Sequence, residues 1–208
     1  DKSLAGLREI LPELVALDPD FMTVTYGAMG TTRDRTLEIA ALIQNDFHKA
    51  TACHLTCVGS SRAELKSLLE RIRGAGIRNI VALRGDPPQG ETRFVPPAYG
   101  LAHANELVEF IHRTADSAGW ERFGLAVAGY PEKHIEASDA AADLRNLKRK
   151  TEAGADAVIT QLFYDNAAFF SFVERARGLG LTHPIVPGLL PIVSVNQIKK
   201  ITALCGAS

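Results

Sequence analysis

Three cysteines among 208 residues are too few for a disulfide framework. Cys53 and Cys57 stand four apart in what reads as one strand, too far from each other to bridge. A surplus of one charge sign is also missing. With 23 Lys+Arg against 24 Asp+Glu the formal net charge is −1, which argues against a nucleic-acid coat or a polybasic membrane anchor. No apolar run approaches the roughly 20 residues a bilayer-spanning helix needs. The opening Asp1-Lys2-Ser3-Leu4 lacks the basic-then-apolar pattern of a signal peptide. These absences lead to the expectation of a reduced, soluble, cytoplasmic protein that binds neither nucleic acid nor membrane.

The familiar loops of nucleotide and metal chemistry are absent as well. There is no G-x-G-x-x-G after a strand and no G-x-x-x-x-G-K-[ST]. Neither H-E-x-x-H, nor a C-x-x-C pair, nor a His/Asp cluster at metal spacing occurs, so no metal site is expected. A G-x-S-x-G elbow is missing too.

What is present is alternation. Residues 3–17 carry Leu4, Leu7, Ile10, Leu11, Leu14 and Leu17 at helical spacing, and a β-like run at 21–26 follows. The spacing then predicts helices over 36–47, 61–73, 103–117, 138–153, 166–178 and 194–204. Between them it predicts strands over 52–57, 77–83, 123–128, 156–161 and 184–189. Ser61 with Glu64 three residues on reads as a capping box. No hairpin dipeptide joins any of the six strands, and no composition shift marks a second domain. Such alternation implies an α/β fold with parallel strands and helical crossovers, either a doubly wound open sheet or a (β/α)8 barrel.

The strand faces favour the barrel. Alternation puts Thr23 with Thr25, His54 with Thr56, Ile80 and Ala82 with Arg84 and Asp86, Ala126 and Ala128 with Tyr130, and Ile159 with Gln161. Each pattern turns polar toward the C-terminal end of its strand. Thr25, His54, Asp86, Tyr130 and Gln161 are therefore expected around one rim, as a barrel mouth would gather them. Any dinucleotide would bind at that mouth rather than in a Rossmann crevice.

Several residues there invite chemistry. Asp86, in Arg84-Gly85-Asp86-Pro87-Pro88, is presented where prolines forbid the strand to continue, although a turn aspartate before proline looks the same. His54 alone reads as a core histidine. In the 138–150 segment, Asp143, Asn146, Arg149 and Lys150 fall at i, i+3, i+6 and i+7, as a polar stripe. That stripe is either a solvated helix face or a match for a ligand with hydroxyls and a diphosphate, whose charge the two cations would neutralise.

Seven blocks in order resemble the methylenetetrahydrofolate reductase family. They are Val24-Thr25-Tyr26-Gly27-Ala28 with Arg33-Asp34-Arg35-Thr36; His54-Leu55-Thr56-Cys57; Ile80 to Asp86; Tyr130-Pro131-Glu132-Lys133-His134; Asp143 to Lys150; Ile159-Thr160-Gln161; and Pro187-Gly188-Leu189-Leu190-Pro191. The resemblance implies a (β/α)8 TIM barrel forming a single flavin-binding domain over residues 1–208. Its FAD is reduced by NADH or NADPH and then reduces methylenetetrahydrofolate to methyltetrahydrofolate, in the one-carbon metabolism that feeds methionine biosynthesis. Two half-reactions in one pocket imply ping-pong kinetics.

By the same resemblance, Thr25, Tyr26, Ala28, His54, Arg84, Gly85, Asp86, Ala104, Tyr130, His134, Ala137, Asp143, Asn146, Arg149 and Lys150 fall on flavin-binding positions. Asp86, Gln161 and Gln197 fall on folate-binding positions, and Asp86 carries the catalytic role. A carboxylate there can stabilise the cationic iminium formed when the folate ring opens. Family members are commonly oligomeric, so a homo-oligomer is expected.

Two parts of the family pattern are missing from the printed sequence: a first strand bearing a general-acid glutamate, and a last strand. Strands two to seven of eight are therefore expected here. That leaves an alternative, a non-catalytic flavin- or folate-binding barrel or truncated homologue without the acid. A flavin-free barrel lyase or aldolase is a third reading, and the lack of an inward strand lysine for a Schiff base counts against an aldolase.

Overall fold

The computed structural model describes residues 2–25, 30–87 and 94–206. Along them run α1 (Lys2–Ala16), β1 (Met22–Val24), α2 (Gly30–Asn45), β2 (Thr51–Thr56), α3 (Arg62–Gly74), β3 (Asn79–Leu83) and α4 (Ala104–Ser117). β4 (Gly124–Gly129), α5 (Ala140–Glu152), β5 (Ala157–Leu162), α6 (Asn166–Gly178), β6 (Ile185–Gly188) and α7 (Val195–Cys205) follow. The fold is α/β. The six strands follow one another in the sheet in chain order. A doubly wound sheet reverses its strand order at a switch point, so this unreversed order is that of a partial (β/α)8 wall.

The chain forms two compact units, residues 1–125 and 126–208, with the boundary inside β4. In the first, β1, β2 and β3 are parallel, with Val24 opposite Cys53 and Cys53 opposite Ile80. Laterally paired residues of parallel strands point to the same side of a sheet. Val24, Cys53, Leu55, Ile80 and Ala82 thus form one face, and all are buried. The opposite face carries Thr23, Ala52, His54, Asn79 and Val81. Amphipathic helices supply the cover: α3 buries Leu65, Leu69 and Ile72, and α4 buries Leu107, Val108 and Ile111. The Ser61–Glu64 capping box is present in both directions and starts α3.

The second unit pairs Ala126 with Ala157, Ala128 with Ile159 and Ile159 with Val186, again in parallel. Burial alternates strictly along β4, with Val127 and Gly129 enclosed and Ala126 and Ala128 half-buried. On the helix side, α5 buries Leu144 and Leu147, and α6 buries Phe172 and Ala176.

Two expectations change. Helix α2 begins at Gly30, six residues ahead of the predicted Thr36. Its first turns, Thr31 to Arg35, are polar, so hydrophobic spacing gives no sign of them. Among residues 6–17, Leu11 is deeply buried, at 1% exposure, while Ile10, Leu14 and Leu17, expected at helical spacing with it, are exposed.

Candidate active site

In the first unit the expected site residues cluster where β1, β2 and β3 end. The Thr36 hydroxyl donates to the Thr25 carbonyl at 2.9 Å, tying α2 to the end of β1 and fixing the backbone at Thr25. His54 lies on the more open sheet face. Burial holds its imidazole below the usual value, so it is neutral at pH 7. Two residues on, the Thr56 hydroxyl is buried and has no hydrogen-bond partner among the described residues. Cys53 and Cys57, on the opposite face, have thiols pushed up to about 12 by burial, so neither is a thiolate nucleophile near neutrality.

The strand-alternation argument fails along β3. Register places His54 opposite Val81, so the His54 face continues through Asn79, Val81 and Leu83. Ile80 and Ala82, expected to share a strand face with Arg84 and Asp86, are on the buried face instead. Regular alternation stops at Leu83 because Gly85 has φ +89, a conformation that favours glycine. A Cβ at Gly85 would also sit 2.7 Å from Val58 Cγ1. The turn therefore aims Asp86, whose side chain is exposed, independently of strand parity. Arg84 donates from Nε to the Gly85 carbonyl at 3.2 Å. Ala104 is the half-buried first residue of α4. Tyr26 and Ala28 lie outside the described residues.

In the second unit the turn after β4 brings several expected residues together. The Tyr130 and His134 rings meet edge-to-face at 4.7 Å. The His134 N–H donates to Asp143 Oδ2 at 3.2 Å, and the Glu136 N–H donates to His134 Nδ1 at 3.1 Å. With Nδ1 accepting, the neutral ring carries its proton on Nε2. The Ala137 N–H closes the turn onto the His134 carbonyl at 2.9 Å.

The polar stripe of α5 divides in two. Asp143 is buried, and desolvation raises its carboxyl against the opposing pull of the His134 N–H and Lys150. Lys150 turns inward, donates to the Ala128 carbonyl and lies over the Tyr130 ring at 5.6 Å. Asn146 and Arg149 stay exposed, with the guanidinium donating to Asn146 Oδ1 at 3.2 Å. The helical period is the reason: Lys150, seven residues from Asp143, returns to its side, whereas Asn146 and Arg149 lie around the cylinder.

Burial pushes the Lys150 ammonium from its ordinary 10.5 down to about 8. The folded state therefore pays for the charged form below that value. Between about pH 8 and 10.5 the unfolded chain binds more protons than the folded one, so unfolding free energy should rise with pH there. Urea unfolding across this window should show the climb, and Lys150→Met should flatten it.

Gln161 Oε1 accepts the Leu162 N–H at 2.9 Å, which leaves its NH2 to meet a ligand. Gln161 and Tyr130 line one shallow recess, with Glu132, Lys133, Leu162 and Cys205. Gln197 is exposed in the first turn of α7, its N–H donating to the Ser194 hydroxyl at 3.2 Å. Lys133, part of a motif block but not among the expected site residues, has a structural part to play. It adopts φ +80, and its ammonium donates to the Ala137 carbonyl at 3.0 Å, bracing the turn that carries His134. No cluster of three or more metal-binding side chains occurs among the described residues. No described helix is long and apolar enough to cross a membrane.

Comparisons with known proteins identify the family. The family model described as methylenetetrahydrofolate reductase matches residues 2–208. A probable methylenetetrahydrofolate reductase (NADH) of Oryza sativa subsp. japonica is 42% identical over 99% of this chain and 35% of its own length. The 5,10-methylenetetrahydrofolate reductase of Escherichia coli (strain K12) is 41% identical over 91% of this chain and 60% of its own. The chain thus spans about a third of the plant relative and three fifths of the bacterial one.

Among solved structures, a 2,3-dimethylmalate lyase of the PEP mutase/isocitrate lyase superfamily has TM-score 0.58 at 12% identity. That match covers 92% of this chain and 69% of the other. A phosphoenolpyruvate phosphomutase from Streptomyces platensis subsp. rosaceus has TM-score 0.51 at 17% identity, covering 75% and 53%. At such identities the likeness concerns fold alone. A family model matched over residues 2–208, with relatives 41–42% identical over 91–99% of this chain, is decisive: the chain belongs to the methylenetetrahydrofolate reductase family.

Proposed function

We propose that this chain is the catalytic barrel portion of a cytoplasmic enzyme that reduces methylenetetrahydrofolate to methyltetrahydrofolate with a reduced nicotinamide, using FAD. The whole barrel is a closed (β/α)8 domain. The family match over residues 2–208 carries the reading. The plant relatives' names specify NADH, which makes NADH the donor to test first.

The residues present fit a flavin. A neutral half-buried His54 and a buried, unpartnered Thr56 hydroxyl on one strand face suit a polar ligand better than a finished core. Within the first unit, Thr25, His54, Arg84 and Gly85 are the residues that would hold it. Arg149 is an exposed cation suited to a diphosphate, while Lys150 is turned inward with one of its three donors on the Ala128 carbonyl. When bound, the flavin supplies a two-electron carrier between nicotinamide and folate.

Asp86 sets negative charge where the folate's iminium develops. The Gln161 NH2 and Gln197 orient the folate by hydrogen bonds. Because both substrates use one pocket, they bind in turn and give ping-pong kinetics.

The purified protein should be yellow or take up FAD, bleach anaerobically with NADH, and regain its colour with methylenetetrahydrofolate while methyltetrahydrofolate appears. Bleaching without methyl product would instead favour a flavin-binding homologue that does not complete the reaction. Failure to bind FAD overturns the reading.

A further inference from the structure

Arg84 follows β3 directly, and its guanidinium carbon lies 5.1 Å from the centre of the Phe94 ring. Phe94 is half-buried and begins a stretch whose far end is fastened to the start of α3. There the Arg62 N–H donates to the Tyr99 carbonyl at 3.2 Å, Ser61 and Gly100 form an antiparallel bridge, and the Gly100 N–H donates to the Pro97 carbonyl at 2.9 Å. Pro96 and Pro97 stiffen the intervening backbone.

A ring over a guanidinium meets its face, so the N–H donors, of which Arg84 Nε meets the Gly85 carbonyl at 3.2 Å, keep their in-plane directions. It also removes, before binding, rotamer freedom that a long side chain would otherwise lose on meeting a ligand.

We propose that Phe94 is a positioning residue that holds Arg84 ready for an electron-rich group of the bound ligand, a carbonyl or phosphate oxygen. Only the ligand's identity rests on the flavin reading above; the holding of Arg84 stands on geometry within the first unit.

The test uses Phe94→Leu, which keeps an apolar side chain but removes the π-face, and Phe94→Tyr, which keeps the ring. In NMR spectra the Arg84 side-chain protons should show a ring-current shift in the unmutated chain and in Phe94→Tyr, lost in Phe94→Leu. FAD titration should give roughly three- to tenfold weaker binding for Phe94→Leu and near-complete rescue in Phe94→Tyr. In an Arg84→Met background, Phe94→Leu should add almost nothing.

Loss of the ring-current shift with unchanged FAD affinity overturns the proposal. So does equal weakening in the Arg84→Met background. If the unmutated chain binds no FAD, the flavin reading fails separately. The ring-current shift then still decides whether Phe94 holds Arg84.

Discussion

Asp86→Asn should slow reoxidation of the reduced enzyme by methylenetetrahydrofolate by roughly a hundredfold or more, while changing reduction by NADH far less. The substitution keeps shape and hydrogen-bonding capacity but removes the charge. The folate must become a full iminium cation before hydride can reach it, whereas the nicotinamide gains its positive charge only as its hydride leaves, so the lost carboxylate charge bears most on the folate half-reaction. Gly85 at φ +89 and Pro87 fix the backbone on both sides of Asp86, so the exchange leaves the turn in place. Stopped-flow measurement of the two half-reactions separates the effects. Equal slowing of both would show that Asp86 acts through placement of the flavin instead.

The second large effect is expected at Gly188. A Cβ there would lie 2.2 Å from the carbonyl oxygen of Thr160 and 3.2 Å from its carbonyl carbon. Both obstructing atoms are backbone of the neighbouring strand, so no rotamer change relieves the clash. The approach is close because the register between β5 and β6 shifts between Ile159 and Leu162, and the Gly188 N–H donates to Thr160 Oγ1 at 2.9 Å. Gly188→Ala should cost roughly 2–4 kcal/mol of unfolding free energy. Urea unfolding checks it against Leu189→Ala, which truncates a side chain 70% exposed and should change stability by no more than about 0.5 kcal/mol. Comparable losses in both variants would contradict the steric argument.

The strands and helices were legible because burial imposes a period. Helix α6 spans the expected residues, and the other helices and strands after residue 50 match to within about two positions, the usual blur at element ends. The start of α2 was not legible, since polar first turns carry no period. The capping box could be read from Ser61 and Glu64 because its bonds are local.

The site was legible in part. Alternation along β4 and β5 correctly put Ala126 with Ala128 and Ile159 with Gln161 on the half-open face. It grouped Asp86 with Ile80 and Ala82, which lie on the buried face, because periodicity cannot foresee a glycine-dependent turn. It grouped Asp143, Asn146, Arg149 and Lys150, though only Asp143 and Lys150 turn inward.

From the sequence alone came the alternating α/β order, the family, and the short roster of polar residues at strand ends. Each depends on spacing or identity along the chain. The tertiary structure decided which of those residues are committed to protein partners and which remain available. It tied Lys150 to the Ala128 carbonyl, gave the His134 N–H to Asp143, and left the Thr56 hydroxyl buried without a partner among the described residues. Such commitments depend on hydrogen bonds and desolvation between groups distant in sequence, and these exist only once the strands are in register.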